Sequence, residues 1–210
     1  MKYYNFENLP LTQSILAESM VDYSRPNDRI SFLIEKRELV HLARGFYTIK
    51  NHSQQNLYLN YNAANTMYGV SYISKYSALS YFNLLSEGVF TVESMTLKRP
   101  REINNELGRF TYSHTSEAVF HIGIKSINVN SFCTFLMASP EKALCDIIWS
   151  TKSLPISSLK DMVYFLEEDI RFEMDFFTNA NVQIFEECIE SGNKKKELKY
   201  LVKLCKEYTL

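Results

Sequence analysis

The stretch of residues 24–49 constrains the fold more than any other, because the pattern of a short helix is followed at once by the pattern of a β-hairpin. Three apolar residues recur at the spacing of one helical face, namely Ile30, Leu33 and Ile34. Pro26 suits a first helical turn, and Ser24 can act as the N-cap. We therefore predict a helix that begins at Pro26 and ends after Lys36 and Arg37.

Two short apolar runs, residues 39–42 and 46–49, come next and are joined by Ala43, Arg44 and Gly45. Glycine at the bend allows a positive φ, so these runs predict a tight hairpin with Arg44 at its tip. A short basic helix followed directly by such a hairpin is typical of winged helix-turn-helix proteins. In that arrangement the helix enters a major groove of DNA, and the hairpin, or wing, lies along the phosphate backbone.

The predicted helix turns a polar face to solvent when its apolar face is buried. Its cations and polar groups lie where phosphates or guanine edges could be met, and with the hairpin tip they form the candidate DNA-binding set: Arg25, Asn27, Arg29, Ser31, Lys36 and Arg44. Asp28 and Glu35 weaken the positive field of this face. Phe32 could meet a thymine methyl group or pack against another part of the protein. The alternative is an ordinary amphipathic helix with a solvated face.

A second helix is predicted before this stretch from four apolar residues that fall on one face: Leu11, Ile15, Leu16 and Met20. It would run for about three turns and pack on the inner face of the helix at residues 26–36. These elements form a winged helix-turn-helix DNA-binding domain of residues 1–51. The polar residues 52–56 could be a hinge to a C-terminal domain of residues 57–210.

The C-terminal domain mixes helical periodicity with strand-like alternation. These patterns predict helices at residues 57–67, 74–85 and 139–150 and strands at residues 89–96, 109–113 and 132–136. Ser139 supplies the N-cap of the third helix, and the last quarter of the chain is also helical. The expected fold class is therefore α+β: an N-terminal winged helix-turn-helix followed by a mixed α/β C-terminal domain with a helical tail.

The net charge of the chain is -1, so any binding to nucleic acid must come from local patches and should weaken with salt. One such cluster in the C-terminal domain could contact an anion or RNA, or could be merely an exposed basic turn: Lys98, Arg99, Arg101 and Arg109. Acidic residues then dominate 160–190, and lysines follow from Lys194 to Lys206. These two segments could pair with each other or bind a partner.

The sequence offers no catalytic constellation. It has no glycine-rich phosphate loop and no GxSxG motif, so we expect neither a catalytic residue nor a cofactor. Glu167 and Glu168 lie in an acid-rich helix and are expected to be solvated. Glu141 and Lys142 resemble the acid-and-lysine edge of some nucleases, but their place in a first helical turn is explained by capping.

Four cysteines lie far apart and form no CxxC pair: Cys133, Cys145, Cys188 and Cys205. With no pattern of a signal peptide and no apolar run of transmembrane length, we expect reduced, buried thiols in a cytoplasmic protein. Histidine and cysteine show no short ligand spacing, so no metal site is predicted.

Five segments together resemble the AbiEi-type antitoxins of type IV toxin–antitoxin (abortive infection) systems. They are LVHLARGFY at 39–47, YGVSYIS at 68–74 with SALSY at 77–81, TVESMTLKRPR at 91–101, GRFTY at 108–112 and ASPEKALCD at 138–146. The ASPEKALCD segment is the nearest match, and the order of the segments is more specific than any one of them. The acidic and lysine-rich tail resembles only a subset of such proteins.

The resemblance implies a repressor that binds double-stranded repeats upstream of its own operon through the winged helix. It also implies that the C-terminal domain counteracts a nucleotidyltransferase-like toxin, by contacting either the toxin or its RNA target, while the antitoxin itself is not an enzyme. Arg44 is a single arginine where the wing tip of relatives is often more basic. The alternative function is a protein-interaction module that uses the winged helix for protein contacts, with Phe32 as an anchor.

Overall fold

The computed structural model describes residues 9–20, 22–49, 57–130 and 133–208. They form the mixed α+β fold with a helical C-terminal part that the sequence predicted. The N-terminal unit contains, in chain order, strand β1 (Leu11–Thr12), helix α1 (Gln13–Glu18), helix α2 (Pro26–Glu35), strand β2 (Leu39–Ala43) and strand β3 (Phe46–Ile49). Its three strands form an antiparallel sheet in the order β1-β3-β2.

The predicted hairpin is confirmed, since β2 and β3 pair antiparallel with Leu39 opposite Ile49. Its turn contains Arg44 and Gly45, and Gly45 adopts the positive φ of 80° for which glycine was expected at this bend. The turn of the hairpin therefore follows from the local sequence.

Two predictions at the start of the chain are wrong. Leu11 belongs to a strand that pairs with β3, and only six residues form the helix that was expected to extend from it. The side chain of Thr12 accepts a hydrogen bond from the amide of Ile15 at 3.3 Å and so starts α1 one residue later. Ser24 does not cap α2; Arg25 occupies the N-cap position, and its side chain makes no capping hydrogen bond.

The larger part of the chain is built on a six-stranded mixed sheet in the order β6-β7-β5-β4-β9-β8. Its strands are β4 (Ser71–Ile73), β5 (Thr91–Thr96), β6 (Arg101–Asn105), β7 (Gly108–His114), β8 (Ile124–Asn130) and β9 (Cys133–Ala138). The helices are α3 (Leu57–Met67), α4 (Lys75–Tyr81), α5 (Glu117–Phe120), α6 (Pro140–Ser150), α7 (Leu159–Tyr164), α8 (Val182–Ser191) and α9 (Lys195–Tyr208).

Helices cover both faces of this sheet. Ile73 lies across from Ser94, which lies across from Tyr112, so these three residues share one face. The Tyr112 hydroxyl donates to the carbonyl of Ala64 in α3 at 2.8 Å. Tyr72 points to the opposite face, because side chains alternate along a strand, and α6 packs there.

Several element boundaries differ from the sequence-based predictions. Helix α4 ends at Tyr81 instead of residue 85, and Arg101 opens a strand instead of completing a turn. The cap of α6 is confirmed, since the Ser139 hydroxyl accepts from the amide of Lys142 at 3.4 Å. All four cysteines are buried, as predicted, and none of these four residues forms a disulfide. None of the helices in the described ranges combines the length and apolar character that a membrane crossing requires.

Two hydrophobic clusters form the interior. The smaller one joins α1, α2, β1 and β2, and the larger one fills the space around the six-stranded sheet. Strand β2 contacts both, because Leu39 belongs to the smaller cluster while Val40 and Leu42 belong to the larger. The Asn105 side chain also donates to the carbonyl of Leu42 at 2.9 Å. The hinge predicted at residues 52–56, and with it the domain boundary, lies outside the described residues.

Candidate nucleic-acid interface

Helix α2 has one buried and one exposed face. Ile30 and Leu33 are buried, and they pack with Leu16 and Met20 in the smaller hydrophobic cluster. Ile34 is only partly buried at the edge of that cluster. Because the apolar face is fixed in this way, the polar residues between these positions must face solvent.

The structure places the predicted residues of α2 on its accessible side. Arg25 is exposed at the N-cap, with its guanidinium 3.7 Å from the Asp28 carboxylate. Asn27 is exposed, and its carbonyl oxygen accepts from the Gln13 side chain at 3.1 Å, which links α2 to α1. Ser31 and Lys36 are also exposed. Asp28 shares this surface, as predicted. The exposed face of α2 therefore carries both signs of charge, and its positive field is confined to the neighbourhood of the cations.

Arg29 is held between two aromatic rings. Its guanidinium carbon lies 5.3 Å from the centre of the Tyr23 ring and 4.9 Å from that of Phe32. The ammonium of Lys36 lies 5.6 Å from the same Phe32 ring. Phe32 packs with Arg29 of its own helix and with Lys36 at the C-cap of that helix, and it keeps 42% of its surface exposed. Tyr23, in the turn between α1 and α2, was not predicted as a site residue.

Arg44 lies exposed in the hairpin turn beside α1. The amide of Gln13 donates to the carbonyl of Gly45 at 2.9 Å, so the start of α1 is tied to the tip of the hairpin. This backbone hydrogen bond fixes α1 to the hairpin, and the side-chain hydrogen bond between Gln13 and Asn27 links α1 to α2, so Arg44 is held close to both helices.

Comparison with known proteins identifies no relative. No protein-family model matches this chain, and no curated protein shows significant sequence similarity to it. The resemblance to AbiEi-type antitoxins therefore depends on the sequence segments alone and stays a prediction.

The basic turn, residues 98–101, forms a second cationic surface. Lys98, Arg99 and Arg101 are exposed, and the cationic groups of Lys98 and Arg101 lie 5.4 and 5.2 Å from the centre of the Tyr68 ring. The Tyr68 hydroxyl donates to the carbonyl of Arg99 at 3.0 Å. No ion pair of these three cations is found in the described part of the chain. Tyr68 therefore organises a positive patch, a role that no sequence pattern had indicated.

Arg109 is not part of that patch. It lies opposite Asn104, three positions along the β6–β7 pairing from Arg101, and its guanidinium is 2.9 Å from the Glu102 carboxylate. Hydrogen bonds from Arg109 and from Asn104 lower the pKa of Glu102. The expectation that Arg109 acts together with the other three cations stays a prediction, although the strand register sets Arg109 three residue pairs from Arg101 and Glu102 engages its charge.

Two buried ion pairs were not foreseen. Lys142 and Asp146 are fully buried, with the ammonium 2.8 Å from the carboxylate, and Tyr72 and Ser74 donate to the other carboxylate oxygen at 3.0 and 2.6 Å. Burial, together with the Asp146 carboxylate, raises the pKa of Tyr72. Because both charged groups are sealed from solvent, a substrate has no access to them, and their contacts join α6 to β4.

Lys75 and Glu93 form the other pair, 2.8 Å apart and nearly buried. The Lys75 ammonium also donates to the Ser113 hydroxyl at 3.2 Å, and Glu93 accepts from the amide of Tyr76 at 3.2 Å. Lys75 has a positive φ of 51°, a strained conformation that these contacts hold in place. Each charge has a partner in the protein, so this pair also ties elements together.

Proposed function

We propose that this protein is a DNA-binding autorepressor and an antitoxin of the AbiEi type. The observation that carries the DNA-binding half is the order β1-α1-α2-β2-β3, in which β1 pairs beside the β2–β3 hairpin and α2 presents exposed cations. In winged helix-turn-helix proteins the second helix of such a unit enters the major groove and the hairpin contacts the backbone. Here α2 would read the operator, and Arg44 would contact phosphate.

Binding of DNA should show in gel-shift titrations with the duplex that lies upstream of the protein's own gene. Arg29→Ala and Arg44→Ala should each weaken binding by about 1 kcal/mol or more where the lost contact is direct. Affinity should fall as salt rises, because contacts to phosphate release counterions. Arg109→Ala is the matched control, since this arginine pairs with Glu102 outside the N-terminal unit. Absence of any shift with the native upstream duplex would contradict the proposal.

The antitoxin half belongs to the C-terminal domain, where Lys98, Arg99 and Arg101 offer an exposed positive surface without acidic partners in the described residues. A surface of this charge suits an RNA target of the toxin, or an acidic face of the toxin itself. Arg109 is left out, because Glu102 neutralises it.

A strain that carries a promoter reporter and an inducible cognate toxin scores both activities in the full-length protein. Reversal of charge at Lys98, Arg99 and Arg101 should remove protection from the toxin and leave repression intact. The control is reversal of three exposed lysines of α9: Lys196, Lys199 and Lys206. Normal protection by the first variant would rule out the basic turn, and loss of protection in the second would place the surface on α9.

The exposure of Phe32 and Tyr23 favours a second candidate, a module that binds a protein partner through α2. In that case Phe32→Ala would weaken capture of the cognate toxin, whereas the native upstream duplex would produce no shift with the unmodified protein.

A further inference from the structure

The guanidinium of Arg29, which lies beside the rings of Tyr23 and Phe32, has hydrogen-bond donors that the protein does not use. The Nε atom of Arg29 is buried and has no hydrogen-bond partner, although the residue lies on an otherwise accessible helix face. Arginine carries five N–H donors, of which four are on its two terminal nitrogens. Within the described ranges the Arg29 guanidinium makes no hydrogen bond or ion pair, so its terminal donors are left for a ligand.

The two rings restrict the Arg29 side chain before any ligand arrives. Cation–π contacts favour a guanidinium that lies over an aromatic ring, and a free arginine side chain has considerable rotamer entropy to lose on binding. Part of that entropy is already lost in the free protein, because Tyr23 and Phe32 approach the guanidinium at 5.3 and 4.9 Å. Binding through Arg29 is therefore preorganised.

We propose that Tyr23 and Phe32 are positioning residues that present the terminal nitrogens of Arg29 to a guanine in the major groove. The inference rests on the proposed role of α2 in reading DNA. Two terminal N–H groups in a rigid plane match the O6 and N7 acceptors of guanine. Arg29 also lies in the N-terminal half of α2, the part of a recognition helix that contacts base edges. A flexible cation suffices for phosphate, whereas a fixed plane gives selectivity.

Titrations of the full-length protein with its native upstream duplex and with an unrelated duplex of equal length test this role. Arg29→Lys should weaken binding to the native duplex about tenfold and leave the unrelated duplex and the salt slope nearly unchanged, since the charge is retained. Phe32→Leu should cause a smaller loss in the same direction. The double variant should bind no more weakly than Arg29→Lys, because Phe32 acts through Arg29.

Tyr164→Leu is the matched control, since this exposed aromatic residue of α7 lies outside the N-terminal unit, and the variant should bind as the unmodified protein does. Native duplex with 7-deazaguanine in place of guanine removes the N7 acceptor; it should weaken the unmodified protein markedly and Arg29→Lys much less. Thermal unfolding of each variant separates positioning from loss of fold; midpoints close to that of the unmodified protein are expected, since none of these side chains belongs to either hydrophobic cluster.

If the fold-losses of affinity from Arg29→Lys and Phe32→Leu multiplied in the double variant, the positioning role would be overturned. If Arg29→Lys weakened binding to the native and the unrelated duplex equally, Arg29 would contact phosphate and not a base. An unmodified protein that does not prefer its native duplex would contradict the proposed function itself. Selective binding that is unaffected by Phe32→Leu would overturn this inference alone.

Discussion

Lys142 and Asp146 show how a single buried contact organises the C-terminal part of the chain. Both side chains are inaccessible to solvent, and the ammonium of Lys142 also lies 4.4 Å from the centre of the Trp149 ring. Tyr72 and Ser74 complete the shell of Asp146. A buried charge without its partner is far less favourable than the intact pair, so the four residues act as a unit.

Asp146→Asn should therefore lower the free energy of unfolding by about 3–5 kcal/mol, because it leaves the Lys142 ammonium buried and uncompensated. Urea denaturation followed by circular dichroism measures the loss. Lys142→Met with Asp146→Leu should recover much of it, since apolar groups then replace both charges. Glu102→Gln, which removes an exposed pair, is the control and should change stability little. If Asp146→Asn and Glu102→Gln lowered the free energy of unfolding equally, the stabilising role assigned to the buried pair would be contradicted.

The sequence predicted the helix that carries this pair but not the burial of the pair. Ser139 and Pro140 mark the start of α6 by local rules, and these rules held. The partners of Asp146 lie 72 and 74 residues away in sequence, where no local pattern connects them. Lysine and aspartate are rarely buried, and the capping role expected for Lys142 did not indicate its burial.

At the scale of single elements, helix α7 is fixed by its first turn. The Asp161 carboxylate accepts from the amide and hydroxyl of Ser157 at 2.9 and 2.7 Å and from the amide of Ser158 at 2.9 Å, while the Ser158 hydroxyl accepts from the Asp161 amide at 3.2 Å. This is a capping box. These hydrogen bonds lower the pKa of Asp161 to about 2, and those from Ser157 have the largest effect.

Asp161→Asn should lower the thermal midpoint at neutral pH, and the difference from the unmodified protein should shrink on acidification. The pKa of Asp161 in the folded protein lies below its ordinary value of 3.8. Its carboxylate thus stabilises the fold above that value, and this contribution is lost as the pH falls towards about 2. Thermal melts across this pH range measure it. Asp175→Asn, at an exposed aspartate, is the control. A difference in thermal midpoint between Asp161→Asn and the unmodified protein that does not change with pH would contradict the assignment.

The two N-terminal predictions differ in outcome for a physical reason. The hairpin follows from neighbouring residues, with Gly45 supplying the turn between two apolar runs. Strand β1 depends on Tyr47, which pairs with Leu11 across 36 residues. Helical periodicity fitted residues 11–20 equally well, so only the tertiary pairing decides that Leu11 is extended.

At the scale of the whole molecule, β2 is shared between the two hydrophobic clusters. Leu39 faces the smaller cluster, and Val40 and Leu42 face the larger one, against which α3 and β6 also pack. The division into two parts was predicted from the chain order. Their contact was not, because the bond from Asn105 to Leu42 spans 63 residues.

Leu42→Ala should destabilise the entire protein by about 2–5 kcal/mol, the cost of removing a buried leucine side chain. Trp149 is the single tryptophan and lies in α6, far along the chain from Leu42. If the two clusters unfold together, Trp149 fluorescence and far-ultraviolet circular dichroism should shift to the same lower urea midpoint.

His41→Ala, at the exposed neighbour of Leu42, is the control and should leave both midpoints close to their original values. A shift in circular dichroism without a shift in fluorescence would mean that the N-terminal unit unfolds on its own.

The shared strand also has a consequence for synthesis. Chains leave the ribosome from the N-terminus, so Val40 and Leu42 emerge well before the residues of α3 and β6 that cover them. The nascent N-terminal unit therefore carries an uncovered apolar strand face, a surface of the kind that chaperones protect. Its hairpin reaches the finished packing only after Asn105 has been made. Maturation of the N-terminal unit is thereby linked to translation of the part of the chain that follows it.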